Sequence, residues 1–299
     1  MITGLADQPW SMNLLEEIRL PVGLDDAWKA ALVGELEEAT AALPQLSSAA
    51  LELAELAVNG EYDAEVVGAV LERDEKLRSQ VLRLANSALY AGESYIENTA
   101  AASQRIGMRA LWEIAVIDVA RVKVFGPALG QVLGGSQMWS VARLAGAISL
   151  RLSSMKLGKS RASILAGLIL CVGPPLAHQL IRRVEERSGK TLASRVRREV
   201  SNRVAPMLSV ILIRSWSLAD SIESAASSMA DGMGVPPPDR EAQVAVLSVS
   251  LARYVTARGT ANLSMPLRWP TAVSLGVTRA EMEEVVGAAA SIDDNPLTL

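Results

Sequence analysis

The side chains best suited to catalysis or metal binding in this sequence are its single histidine, His178, and its single cysteine, Cys171. Imidazole and thiolate groups supply most zinc ligands and much of the proton transfer and nucleophilic attack that proteins perform near pH 7. These two residues cannot assemble a zinc site from His and Cys alone, and a Ser-His-Asp or Cys-His system would need the same His178. We therefore predict that the protein is not an enzyme and has no catalytic residue, metal site or cofactor.

The spacing of His178 and Cys171 also argues against a shared ligand. On a continuous helix they would lie about 10 Å apart along the axis, which is too far for one ion, and Pro174-Pro175 stands between them. We expect His178 to be a partly buried structural residue. We expect Cys171 to be a small buried apolar residue whose thiol has an ordinary or raised pKa.

The composition predicts an all-α protein. Half of the 299 residues are apolar, but only one is Phe and six are Trp. Ala and Leu dominate the apolar content and favour helices, and long stretches lack the alternation that is typical of half-buried strands. A single cysteine excludes an intramolecular disulfide and suits a reducing compartment. The N-terminal residues do not resemble a secretory signal, so we expect a cytoplasmic location.

One uncharged stretch, residues 162–181, is nominally long enough to span a bilayer. Pro174-Pro175 interrupts it, and about ten continuous apolar residues precede the two prolines. We therefore expect a buried core helix and no membrane span.

Charge is distributed unevenly around a net value of −4. Residues 1–75 hold sixteen Asp and Glu against three Lys and Arg, whereas residues 182–203 hold eight Lys and Arg and three Glu. The basic stretch could bind nucleic acid or another anionic partner. It could instead be a solvated connector that the acidic N-terminal part neutralises in part. We favour the connector and predict no nucleic-acid partner, because aromatic interleaving and a helix-turn-helix pattern are both missing.

Helix start and stop signals divide the chain. Ser47 or Ser48, Asp63 and Asp74 are candidate N-caps, and Ala91-Gly92 is expected to end the helix that Asp74 begins. Later helices are expected from about Thr99, with either close packing or a break at Gly107, from near Gln137, and at residues 279–290. Pro206 and the run Pro236-Pro237-Pro238 are expected to separate helices, and the last 40 residues to form a loosely docked extension.

The sequence Leu82–Tyr90, LRLANSALY, resembles a motif of the HDOD family, bacterial signalling domains related to the HD phosphohydrolases. Leu43-Pro44 fits the start of the family pattern, and Trp139 lies where its second subdomain usually begins. The resemblance covers about residues 43–257. Its motif positions, which we interpret as structural, are Leu82, Arg83, Ala85, Asn86, Ser87, Gly107, Trp139, Gly167, Gly173 and Trp216. Asn86-Ser87 is interpreted as a turn that joins helices through hydrogen bonds to the main chain.

The chain departs from the related hydrolases at their His-Asp pair. The corresponding segment is Gly167–Gly173, GLILCVG, in which Leu170 stands at the histidine position and Cys171 at the aspartate position. An upstream family histidine would fall near Val141 or Ala142. The resemblance therefore implies a hydrolase-like frame with degenerate metal positions at Leu170 and Cys171.

The resemblance implies two helical subdomains, residues 43–133 and an HD-like part at 134–257, between an N-terminal extension at 1–42 and a C-terminal extension at 258–299. It implies a non-catalytic bacterial regulatory module that contacts a signalling protein in trans, with the groove between the subdomains as the working surface. The alternative is a receptor for a nucleotide or other small molecule in the degenerate pocket. Its mouth could be lined by Arg143, Lys156, Lys159 and Arg161. Phosphohydrolase activity would require metal.

Overall fold

A computed structural model describes residue 24 and residues 26–41, 43–59, 63–87, 90, 94–126, 135–158, 164–230 and 235–290. These residues form helices, with no strand among them, which confirms the predicted all-α class. The first helices are α1 Asp26–Ala41, α2 Ser48–Asn59, α3 Ala64–Glu72, α4 Glu75–Ala85, α5 Thr99–Ile106, α6 Met108–Val119 and a π-helix at Ala120–Val124. The later helices are α7 Gly135–Leu157, α8 Ile164–Ile169, α9 Gly173–Ser188, α10 Ser194–Ser215, α11 Asp220–Ala230, α12 Arg240–Arg258, a 3-10 turn at Pro266–Arg268, α13 Pro270–Leu275 and α14 Arg279–Ala290.

Local capping explains the start of the early helices. Asp63 accepts a hydrogen bond from the Glu65 amide at 2.9 Å, and Asp74 accepts one from the Leu77 amide at 3.0 Å. Each carboxylate satisfies an amide that has no partner within the helix, as an N-cap does. The predicted caps at these two positions are confirmed.

A continuous apolar core joins the helices. α7 packs against α8, α12 and α14, whereas α9 packs against α1 and α10. Contacts between α6 and α8 connect the earlier helices with the later ones. The largest fully buried side chains come from both parts and include Trp28, Leu71, Leu111, Ile148 and Leu168.

The most apolar stretch contributes to this core. Ile164–Ser188 is long and apolar enough to cross a membrane by length and composition, which is weak evidence by itself. It comprises α8, a turn and α9, and 72% of its most apolar window is buried inside the protein. Its burial matches the core segment expected from the sequence.

Two expectations about where helices end are wrong. α4 ends at Ala85, earlier than Ala91-Gly92, because the next residue, Asn86, caps the helix and bonds through its side chain to the main chain of Ile96. Pro206 lies inside α10 and separates nothing. The neighbours of Pro206, Ala205 and Met207, are buried, so packing outweighs the missing hydrogen bond of the proline.

The described C-terminal residues, up to Ala290, pack against the core, contrary to the expectation of a loosely docked extension. α14 occupies the predicted range 279–290, and its apolar face, with Met282, Val285 and Val286, is buried against α7. At the edge of this contact, Lys156 of α7 donates hydrogen bonds to both carboxylate oxygens of Glu281, at 2.7 and 2.8 Å. The described part of the extension is therefore part of the core.

Candidate functional site

The motif around Asn86 forms a clasp between the end of α4 and the segment that precedes α5. The Asn86 Nδ2 donates to the carbonyl oxygens of Leu82 and Ile96, at 2.9 and 2.8 Å, and its Oδ1 accepts from the Ile96 amide at 2.8 Å. Ser87 Oγ donates to the Leu84 carbonyl at 2.7 Å. These side-chain groups therefore bond to the main chain, as a structural turn requires.

The other motif residues of this half surround the clasp. Ala85 is fully buried and Leu82 is half-buried, whereas Arg83 is exposed and lines a surface cleft. Arg105 reinforces the clasp by donating to the Ser94 carbonyl at 3.0 Å. Gly107 separates α5 from α6 with φ +85°, a left-handed conformation that favours glycine.

Two tryptophans of the motif set hold distant parts of the chain. Trp216, at the end of α10, donates from Nε1 to the Pro44 carbonyl at 2.6 Å. This bond joins the first and the late parts of the family pattern across 172 positions. Trp139 packs its ring against Phe125 with centroids 5.3 Å apart.

The segment Gly167–Gly173 comprises the end of α8, a turn at 170–172 and the first residue of α9. Gly167 and Gly173 lie so close to neighbouring helices that a Cβ would overlap the carbonyl oxygens of Ala145 and Ala205, respectively. Leu170 and Cys171 are 2% and 3% exposed. The turn is therefore enclosed by packed backbone and apolar side chains.

Cys171 is a poor ligand and a poor nucleophile in this position. Burial raises the pKa of its thiol to about 11, and its Sγ lies 3.7 Å from the Gly167 carbonyl oxygen. The protonated thiol neither binds a metal nor attacks an electrophile readily. Within the part of the chain that the structure describes, no three His, Cys, Asp or Glu side chains cluster closely enough to hold a metal ion. The residues at this position therefore do not fit a metal.

His178 lies on α9, beyond the two prolines that open this helix. Its side chain is half-buried, and burial lowers its pKa, as do the nearby positive charges of Arg197 and Arg182. Cys171 lies in the turn before α9, so the two residues do not share a continuous helix.

The basic stretch 182–203 is not a connector, because it consists mainly of the end of α9 and the start of α10. Its partial neutralisation by the N-terminal acids is observed: Arg187 pairs with Glu35 and Glu38, at 2.8 and 2.9 Å. Arg197 pairs with Glu185 at 2.8 Å.

Of the cations predicted at the mouth of the degenerate pocket, the structure describes Lys156 and Arg143. Lys156 is bound to Glu281 and to the Gly276 carbonyl. Arg143 is half-buried on α7. Lys159 and Arg161 lie outside the described residues.

A groove of about 340 Å³ lies between the earlier and later helices, and the sequence analysis did not single out several of its lining residues. Leu43, Pro44 and Lys123 contribute from one side, and α9 and α10 contribute from the other. Arg183 belongs to the basic stretch 182–203, but no sequence signal marks Lys123 or Gln179, because the three residues converge only when the helices pack.

A family comparison agrees with this architecture. The model of the HDOD domain matches residues 43–231, which is more than half of the chain. The chain belongs to the HDOD family. The HDOD match lies inside the predicted domain at 43–257, and the predicted subdomain boundaries stay predictions.

Solved structures share the HDOD fold. A provisional metal-dependent phosphohydrolase of Shewanella amazonensis is 18% identical, with a TM-score of 0.61, and the alignment covers 89% of this chain and 99% of that one. An HDOD protein of unknown function from Geobacter sulfurreducens is 20% identical, with a TM-score of 0.55 and coverages of 89% and 98%. A provisional signal transduction protein of Marinobacter aquaeolei is 20% identical, with a TM-score of 0.53 and coverages of 94% and 65%. These likenesses concern the fold alone. No curated protein matches the chain.

Proposed function

We propose that this HDOD protein is a non-catalytic, cytoplasmic signal-transduction module that acts through contacts with a signalling protein in trans. The observation that carries the proposal is the burial of Leu170 and Cys171, 2% and 3% exposed, in the segment that resembles the hydrolase His-Asp helix. A catalytic metal needs charged or imidazole ligands and a coordination position open to substrate. A leucine side chain and a protonated thiol enclosed in the core supply neither.

The packing of Gly167 and Gly173 supports a scaffold at this place. Both residues allow backbone-to-backbone approach between α8 and α7 and between α9 and α10. A carboxylate or imidazole without metal would be costly among these apolar neighbours, by several kcal/mol. Apolar residues at positions 170 and 171 let the hydrolase-like frame fold without an ion.

The groove between the earlier and later helices is the proposed contact surface. The alternative, a small-molecule receptor in the degenerate pocket, has less support. Leu170 and Cys171 are buried there, and Lys156 is bound to Glu281. Its test is calorimetry with cyclic dinucleotides, in which saturable binding would favour the receptor.

The decisive experiment measures the metal content and hydrolase activity of the purified chain, and then tests whether the chain binds a specific partner protein. We expect substoichiometric Fe, Mn and Zn by elemental analysis, and no metal-stimulated hydrolysis of a phosphodiester such as bis-p-nitrophenyl phosphate. We expect the chain to capture a specific protein from a lysate of its source organism, with an unrelated helical bait of similar size and charge as control. Reconstitution of that complex from two purified proteins must give a saturable isotherm. Stoichiometric metal with phosphodiester hydrolysis would overturn the proposal.

A further inference from the structure

The groove of about 340 Å³ has an apolar floor and a charged rim. Its lining comprises Leu43, Pro44, Lys123, Leu176, Gln179, Leu180, Arg183 and Leu208. The four leucines belong to the core, with exposures between 1% and 7%, so they form the bottom of the groove. Contacts with the apolar core therefore fix the positions of these leucine side chains.

Two cations on the rim are available to a partner. Among the residues that the structure describes, neither Lys123 nor Arg183 forms an ion pair, and both are exposed. Arg183 lies near enough to Glu38 to help lower the pKa of that carboxyl, but Glu38 bonds to Arg187. Lys123 and Arg183 differ in this respect from Lys76, which pairs with Asp118, and from Arg214, which pairs with Glu223.

The walls of the groove are fixed by hydrogen bonds. The Pro44 carbonyl accepts a hydrogen bond from the Trp216 indole N–H at 2.6 Å. This bond holds Pro44 in place at one side of the groove. Across the groove, Gln179 Nε2 donates to the Val124 carbonyl at the end of the π-helix, at 3.5 Å. A preformed pocket requires little ordering on binding, which favours affinity.

We propose that this groove binds an acidic segment of a partner protein, whose large apolar side chain enters the groove while its carboxylates pair with Lys123 and Arg183. The inference rests on the proposed signalling function and names the chemistry of its partner. Charge complementarity is the reason for an acidic partner, because two cations that form no ion pair with the described residues flank an apolar floor.

The size of the groove suits one anchor side chain. A volume of about 340 Å³ lies near the lower end of the range for small-molecule pockets, roughly 300–1,000 Å³. Binding energy at protein interfaces concentrates in a few large side chains that fill such pockets, and charges around them set specificity and association rate. The affinity should therefore depend on the apolar side chain that the partner inserts into the groove. It should decrease as the salt concentration rises, because salt screens the rim charges.

The test is selection of a phage-displayed library of random peptides of about twelve residues on the purified full chain. We expect enriched peptides to carry Leu, Phe, Trp or Met flanked by Asp or Glu. Fluorescence anisotropy should show that a Lys123→Glu/Arg183→Glu variant binds them at least about tenfold more weakly. The matched control is Arg195→Glu/Arg198→Glu, which makes the same charge change at exposed positions near the start of α10.

A second pair of variants tests the apolar floor. Gln179→Trp fills the groove and removes only one long hydrogen bond, so we expect it to abolish peptide binding with little change in Tm. Gln104→Trp, on an exposed position of α5, should bind as the native chain does.

The peptide selection would overturn the inference by enrichment of basic or neutral peptides, by no enrichment, or by binding that the groove variants leave unchanged. A native dimer that only the groove variants dissociate would assign the groove to a second copy of this chain, and would also overturn it. If lysate capture succeeds with native and groove-variant baits equally, this inference fails and the proposed function stands.

Discussion

At the scale of single residues, the side chain of Asn86 determines how α4 ends and where the chain goes next. Its donor and its acceptor bond to the carbonyl and amide of Ile96, ten residues away. This two-way bond closes the loop between α4 and α5. The Asn86 side chain thus uses its donor and its acceptor within the protein.

We predict that Asn86→Ala lowers the free energy of unfolding by about 1–3 kcal/mol, because two half-buried main-chain groups of Ile96 lose their partner. Urea denaturation followed by circular dichroism measures the change. Asn202→Ala, at an exposed helix position, is the control. An equally small effect in both variants would show that the clasp does not stabilise the fold.

The buried thiol of Cys171 should make the stability of the protein depend on pH. Its thiol pKa is raised by burial from 9.0 to about 11, so the folded thiol stays protonated at pH values where the unfolded thiol ionises. The stabilisation is complete below 9.0 and is lost as the pH rises towards about 11. We expect the native chain to lose stability over this range relative to Cys171→Ala, as measured by urea denaturation at each pH.

Reaction with a thiol reagent gives an independent check on Cys171. At pH 8 the native chain should react with a disulfide reagent far more slowly than the same chain in denaturing urea, because the folded thiol is buried and protonated. Equally fast labelling in both conditions would contradict the enclosed position of this residue.

At the scale of helices, glycines decide how closely neighbouring backbones approach. Gly173 faces the main chain of α10 at Ala205, where a methyl group has no room. Gly287 in α14 is also helical, but a Cβ there would meet no atom within 4 Å. The same substitution at these two positions therefore has opposite expected effects.

Gly173→Ala should destabilise the protein by about 1–3 kcal/mol or more, because the added methyl forces α9 and α10 apart. Gly287→Ala should stabilise it by about 0.5–1 kcal/mol, because alanine favours the helix over glycine. Thermal denaturation of both variants gives the comparison. Equal shifts in Tm would mean that the contact between α9 and α10 is looser than the structure has it.

At the scale of the whole molecule, the N- and C-terminal elements are tied to the HDOD helices by ion pairs and apolar contacts. Arg187 binds Glu35 and Glu38 of α1, and Lys156 binds Glu281 of α14. The Lys156 ammonium group lowers the pKa of the Glu281 carboxyl, as do hydrogen bonds from Thr278. We expect these elements to unfold together with the core.

We predict that Lys156→Met lowers the free energy of unfolding by about 1 kcal/mol at pH 7. Because the folded Glu281 pKa is lowered, the stabilisation is present above the ordinary value of 4.5 and is lost as the pH falls below it. The difference between variant and native chain should therefore disappear in acid. Arg279→Met, which breaks an exposed pair with Glu283, is the control and should change little.

Local features of the structure could be predicted from the sequence. The caps Asp63 and Asp74, the break at Gly107 and the helix at 279–290 all follow from short-range chemistry, since each depends on neighbouring residues. Pro206 shows the limit of this reasoning. A local rule ends a helix there, but the burial of Ala205 and Met207 outweighs the rule.

The sequence by itself determined the all-α class, the capped helix starts and the scarcity of residues for imidazole or thiolate chemistry. Only the tertiary structure decided that Trp216 holds Pro44, that α14 belongs to the core, and that Lys123 and Arg183 flank one groove. The reason is physical: caps and helix propensity act over a few residues, whereas a groove arises where distant helices pack and leave space between them.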